Sequence, residues 1–204
     1  MNTSSPIGML LAFIGAALLP LSAAAFNVPG PLVETDWVEA NLKDVVVLDV
    51  RKKAASDTKR IAGATLVPWK KVRAKRSENG VELIKMLPTK EAFEDLMQSL
   101  GVNNDSAIIV TSESKDASTT FLGTRLYWQL KYFGHDNVAL LNGGNAKWFK
   151  EKRATSTTSS ARAFGDFTAA EERSSMLATT ADVEKAVNDD SVLLIDTRSQ
   201  DQYL

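Results

Sequence analysis

Cysteine is missing from all 204 residues. Without a thiol there is no disulfide, no lipid-attachment residue and no thiolate nucleophile. Histidine occurs once, as His135, so the Ser112 hydroxyl has no imidazole close by in sequence to activate it. An excess of one charge is missing too. The 24 basic residues stand against 25 acidic ones, a net charge of −1, whereas a nucleic-acid partner would need a concentrated basic face. Neither a metal nor a cofactor is expected. Long apolar runs are confined to the N-terminus, where Ile7 to Leu21 is broken only by Gly8, Gly15 and Pro20. That run is short for a membrane span, which needs about 20 residues.

Ser22-Ala23-Ala24-Ala25 follows the run and offers small residues where a signal peptidase cuts. No Lys or Arg precedes the run, so the α-amino group is its only positive charge. Residues 1–25 therefore read as a signal peptide cleaved near Ala25. The expected destination is periplasmic or extracellular, with no stable membrane association after cleavage; retention as an anchor is the alternative.

Past the leader, a hydrophobic content of 44% and a charged content of 24% are those of a soluble globular chain. One phrase occurs twice. Val45-Val46-Val47-Leu48-Asp49-Val50-Arg51 returns as Ser191-Val192-Leu193-Leu194-Ile195-Asp196-Thr197-Arg198, as two successive copies of one α/β unit would require. Residues 32–153 read as the complete copy, 154–176 as a connector rich in Ser, Thr and Ala, and 177–204 as the start of a second, truncated copy. Phe164 and Phe167 suggest a connector that lies against a surface.

Within the first copy, Thr35 is placed to cap a short helix ahead of the strand Val45–Asp49. A loop-rich stretch holds Arg60 to Ala64 and Leu66 to Trp69. Pro88-Thr89 opens a helix with Phe93, Leu96, Met97 and Leu100 on one face, stopped by Gly101. Ala107 to Thr111 is a β-branched run suited to a strand buried on both faces. The turn 112–117 leads to a helix lined by Leu122, Leu126, Leu130 and Phe133 and stopped by Gly134. Val138–Leu141 is the next strand, and Asn142-Gly143-Gly144 turns into a helix bearing Trp148. In the second copy Thr180 is placed to cap a helix carrying Val183, Ala186 and Val187, ahead of a strand at Val192–Ile195. Alternating strands and helices favour a parallel sheet covered on both faces.

Phe133-Gly134-His135, Val138, Leu141-Asn142-Gly143-Gly144 and Trp148 together resemble the signature of the rhodanese family, the thiosulfate sulfurtransferases. Leu48-Asp49-Val50-Arg51 resembles that family's first-strand motif. Lys59-Arg60-Ile61-Ala62-Gly63-Ala64 is similar to a degenerate form of its Gly-His-Ile-Pro-Gly-Ala segment, with Arg60 for His and Ala62 for Pro. The likeness runs from about Leu32 to Leu204 and is nearest to tandem rhodaneses. It implies an α/β three-layer fold, a central parallel sheet flanked by helices, in one complete copy and a fragment of a second. It also implies an exported enzyme that takes sulfane sulfur from thiosulfate to a thiophilic acceptor such as cyanide. The carrier in that group is a cysteine persulfide in the second domain, the first domain being a silent partner.

On that resemblance Ser112 occupies the position of the catalytic cysteine, and Ser112, Glu113, Ser114, Lys115, Asp116 and Ala117 are the active-loop equivalents. A hydroxyl cannot carry a persulfide, so no catalytic residue is assigned and the chain by itself is expected to be inactive. Glu113 and Asp116 bring two carboxylates against one cation, Lys115, where an active loop would hold an anion. Asp116 is also placed to cap the next helix itself. His135 reads as a structural turn residue, and Asp49 and Arg51 as loop-fixing partners. Arg125 reads as a buried-edge partner for a carboxylate or for the connector. Lys70, Lys71, Arg73, Lys75 and Arg76 form a solvated basic run, with attraction of anions toward a cleft as its alternative role. A competing reading makes the chain complete, a silent rhodanese domain used as a protein-binding or regulatory module. Truncation is favoured because the apolar strand Val192–Ile195 would otherwise have no sheet to enter.

Overall fold

The computed structural model describes residues 26–53, 57–158 and 162–204; the expected leader lies outside them. A short strand β1 (Leu32–Val33) precedes helix α1 (Thr35–Ala40) and strand β2 (Val45–Arg51). Next come β3 (Arg60–Ile61), β4 (Thr65–Pro68), a 3₁₀ turn at Trp69–Val72, and the strands β5 (Ala74–Glu78) and β6 (Val81–Met86). Helix α2 (Lys90–Ser99), strand β7 (Ala107–Ser112), helix α3 (Ala117–Tyr132), strand β8 (Val138–Leu141) and helix α4 (Gly144–Lys150) complete the α/β alternation. Beyond it lie β9 (Thr155–Ser156), α5 (Thr180–Ala186) and α6 (Gln200–Tyr203).

Five strands pair in the order β1-β8-β7-β2-β4, every pair parallel. Because side chains alternate across a strand, β2 and β7 feed two cores at once. Val46, Leu48, Val50, Ile108 and Val110 face a cluster with Phe93, Leu126 and Phe133, residues of α2 and of α3 with its cap. Val45, Val47, Ala107 and Ile109 face Val38 of α1 and Trp148 of α4. Phe93 stacks on Phe133 with centroids 4.5 Å apart, a pair contributing about 0.5–1.5 kcal/mol beyond its buried area. Helices on both faces cover the parallel sheet as the alternation of strands and helices predicted, and make the three layers that the resemblance implied.

Several local expectations are corrected. Helix α1 is entered from Glu34, whose carboxylate bonds Asn142 and Lys147 and makes no cap; Thr35 lies inside the helix, its hydroxyl donating to Glu151 at 2.6 Å. Helix α5 is capped by Thr179, not Thr180, in a capping box closed by Asp182. The presumed loop after β4 contains an antiparallel hairpin, β5 with β6. Val192–Ile195 forms no strand; its side chains are exposed and none of the described strands pairs with it. A strand gains its hydrogen bonds only from a neighbour, so an apolar β-branched run alone does not make one.

The segment after α4 is laid along the domain. Thr155 and Ser156 pair with Ile61 and Arg60. The Gly165, Phe167, Ala170 and Arg173 amides donate to the carbonyls of Gln98, Val102, Phe133 and Tyr132. Phe167 is 1% exposed and meets Phe93 edge-on, whereas Phe164 stands 79% exposed. Only one of the two phenylalanines thus anchors the segment.

Candidate active site

The carboxyl ends of β2, β7 and β8 meet at one edge of the sheet, the position where open α/β sheets place ligands. Ser112 is the last residue of β7, not the first of the turn, and is buried. Its hydroxyl lies 3.4 Å from the Thr120 carbonyl, to which it donates, and 3.3 Å from Ser114 Oγ. His135 cannot reach it. That ring contacts the Ser106 carbonyl at 2.9 Å, at the opposite end of β7, about 20 Å away at roughly 3.3 Å per residue. Burial pulls the His135 imidazole below its ordinary range, as befits a neutral structural group.

The loop 113–116 is fixed from three directions. Asp116 caps α3, its carboxylate accepting from the Thr119 amide at 2.9 Å while the Asp116 amide donates to Thr119 Oγ1 at 3.2 Å. Hydrogen bonds from Ser118 and Thr119 hold the Asp116 carboxyl below its usual range. Glu113 Oε1 takes Arg51 Nη1 at 3.1 Å, and the Ala146 amide donates to the Glu113 carbonyl at 3.1 Å. Ser114 has φ 52°, a left-handed conformation that α4 crowds. A Cβ on Gly144 would sit 2.2 Å from Ser114 Oγ and 2.8 Å from the Ser112 carbonyl, so only glycine lets the β8–α4 turn close on this loop.

Beneath the loop Arg51 and Asp49 form a buried pair, with Nε–Oδ1 2.7 Å and Nη2–Oδ2 3.0 Å. Arg51 Nη2 also reaches the Lys59 carbonyl at 3.2 Å. Asn145 on α4 donates to Asp49 Oδ1 at 2.8 Å, and the Thr111 hydroxyl donates to Asn145 Oδ1 at 3.2 Å. Burial pushes the Asp49 carboxyl upward, against the pull of Arg51 and Asn145. This network ties β2, β7, α4 and the loop into one unit. Asp49 and Arg51 therefore fix the loop, as their place in the sequence suggests. Asn145 and Thr111 had no sequence signal, because their link to Asp49 exists only across strands and helices.

The cavity behind Ser112 holds about 220 Å³ and is lined by Leu32, Val110, Ser112, Ser114, Gly123 and Leu140, among others, with no cation among its described lining residues. Lys115 points outward, its side chain 70% exposed. An anion entering here would meet hydroxyls and apolar walls, and no countercharge among the described lining residues. Among the described residues no group of His, Asp and Glu side chains is arranged to hold a metal. No helix among them is long and apolar enough to cross a membrane.

Arg125 departs from expectation, and Arg60 has a role its place in the motif did not indicate. Arg125 packs over the Trp128 ring at 5.3 Å, and among the described residues its buried Nε has no hydrogen-bond partner, neither a carboxylate nor the connector. Arg60, in the degenerate glycine-rich segment, is fully buried and donates to the Thr58 carbonyl at 3.0 Å and the Thr157 carbonyl at 2.9 Å. It staples the segment after α4 to β3. Of the basic run, Arg73 lies over the Trp69 ring at 4.7 Å, while Lys75 and Arg76 sit on the exposed hairpin paired with Glu82 and Glu78.

A rhodanese-like domain model matches residues 34–151. The chain is 31% identical over 181 residues to a putative thiosulfate sulfurtransferase of Haloferax volcanii, covering 84% of this chain and 59% of that protein. It is 32% identical over 146 residues to the thiosulfate sulfurtransferase of Bos taurus, covering 72% and 47%. Among solved structures it is similar to SseA from Escherichia coli, a 3-mercaptopyruvate sulfotransferase with the rhodanese fold, at TM-score 0.71 and 25% identity over 85% of this chain and 67% of the other. The chain spans about half to three-fifths of the length of these curated relatives. The motifs of the first strand and the β8–α4 turn, the parallel three-layer sheet and the loop after β7 agree with one another, and the chain belongs to the rhodanese-like domain family.

Proposed function

We propose that this chain supplies the thiol-free, non-catalytic domain of an exported tandem sulfurtransferase, whose second domain begins near residue 177 and carries the reacting cysteine. In that reaction the thiolate attacks the outer sulfur of thiosulfate. The new S–S bond is a persulfide, the old S–S bond breaks, and sulfite leaves with the electron pair. An acceptor such as cyanide then takes the terminal sulfur and returns the thiolate. The single observation that carries the reading is the loop after β7. By the resemblance it is the counterpart of the family's active loop, but β7 ends in a buried Ser112 hydroxyl, with Asp116 filling the helix N-terminus and Glu113 locked to Arg51. The repeat of Asp49-Val50-Arg51 as Asp196-Thr197-Arg198 supports the second domain, and the names of the relatives support thiosulfate as donor.

The test is a thiosulfate:cyanide assay on the purified chain, then on the chain joined to a rhodanese domain that bears a loop cysteine. No thiocyanate from the first and turnover from the second is the expected pair. Turnover by the cysteine-free chain, with contaminants excluded, would overturn the reading. A fusion that folds yet stays inert would do so as well.

A further inference from the structure

A second cavity, of about 650 Å³, opens at the carboxyl end of β2 and β4 and is lined by Lys52, Trp69, Arg73, Lys85, Phe121 and Arg125. It has four cations, two aromatic rings and no carboxylate among its described lining residues. The Arg73 guanidinium lies over Trp69, Trp69 meets Phe121 edge-on at 5.3 Å, and the Arg125 guanidinium lies over Trp128. Each guanidinium thus lies within cation–π reach of a tryptophan ring. The Nε atoms of Arg73 and Arg125 are buried and have no hydrogen-bond partner among the described residues, an arrangement that costs stability unless an acceptor is supplied. Burial, and then the charge of Arg73, pull the Arg125 guanidinium below its ordinary range. Lys85 joins them from a left-handed backbone conformation, φ 63°, of the kind that persists where surroundings impose it and that clusters at ligand sites.

We propose that this cavity binds a doubly charged oxoanion, a phosphate- or sulfate-type group, free or at the end of a larger molecule. Guanidinium groups suit such an anion because planar donor sets match its oxygens, and Trp69 and Phe121 line the same cavity. Phe121, 44% exposed at the rim, is placed to receive a flat apolar body attached to the anion. The inference rests on neither the missing thiol nor a second domain.

The test titrates the full chain with inorganic phosphate at constant ionic strength, read by amide NMR shifts and tryptophan fluorescence. Saturable binding is expected, weakened at least tenfold in R73Q/R125Q. K70Q/K71Q, which removes the same charge from exposed positions outside the cavity, should change it less than twofold. Equal loss in both pairs, or no saturation in the wild type, would overturn the site. Phenylglyoxal labelling of the unmutated protein, read by mass spectrometry, avoids any question of misfolding. Phosphate should slow modification of Arg73 and Arg125, and unchanged rates would refute the proposal. Phenyl phosphate distinguishes the sources: tighter binding than phosphate supports an anion carried on a larger body, and equal binding supports a free oxoanion.

Discussion

Replacing Arg51 by Met strips the guanidinium from a carboxylate that has nowhere to go. The Asp49 side chain is 0% exposed and that of Arg51 6%, so neither solvent nor a rotamer change can compensate. Asn145 would remain as a donor at 2.8 Å, but a neutral amide does not neutralise charge. Breaking a buried pair from one side costs about 3–5 kcal/mol. At roughly 2–4 °C per kcal/mol for a chain of this size, that is a fall of about 6–20 °C in Tm. The pH dependence carries a sign. In R51M the native Asp49 pKa is raised far above the unfolded value of about 3.9. The proton-bound native state is then favoured, so the variant is least damaged below about pH 4 and loses stability as pH rises toward neutrality. The double variant D49N/R51M removes the stranded charge and should recover most of the loss at pH 7, a coupling that urea denaturation of the four species measures. A loss in R51M below about 1 kcal/mol, or one indifferent to pH, would refute the claim that this pair is closed and dry.

Three further outcomes follow from the packing. G144A should destabilise by about 1–3 kcal/mol, because its Cβ meets the Ser112 carbonyl at 2.8 Å and the φ of 53° disfavours alanine; thermal denaturation checks this, and a neutral result would mean the β8–α4 turn does not close on the loop. F167A should cost about 3–5 kcal/mol, while F164A should cost under about 0.5 kcal/mol, since only Phe167 is buried; equal effects in urea melts would contradict the docked segment. His135 has its native pKa depressed by burial, so its contribution is complete above the unfolded value of about 6.5 and is lost as pH falls below it. The stability of H135Q should be flatter than wild type between pH 6.5 and 5, above the range where carboxylates titrate, and an unchanged slope would place the wild-type slope elsewhere.

What the sequence by itself determined is what depends on neighbours along the chain. The apolar spacing of Phe93, Leu96 and Met97, the run Ala107–Thr111, the stops at Gly101 and Gly134 and the Asp116 cap each involve residues a few positions apart, and the structure has them all. The lack of a thiol needs no structure either. The β5–β6 hairpin was within reach of the same logic, since Asn79-Gly80 is a strong hairpin turn and both residues have positive φ, but the charged strands on either side hid it. Only the tertiary structure decided the rest. Asn145 and Thr111 join Asp49, Arg60 finds its carbonyls across the segment after α4, and Arg73 meets Arg125 in a cavity without a carboxylate. Val192–Ile195 shows the same limit from the other side: it has a strand's composition and no pairing partner among the described strands. Local propensity is a property of a segment, while burial, charge pairing and sheet pairing are properties of whatever else the fold brings alongside.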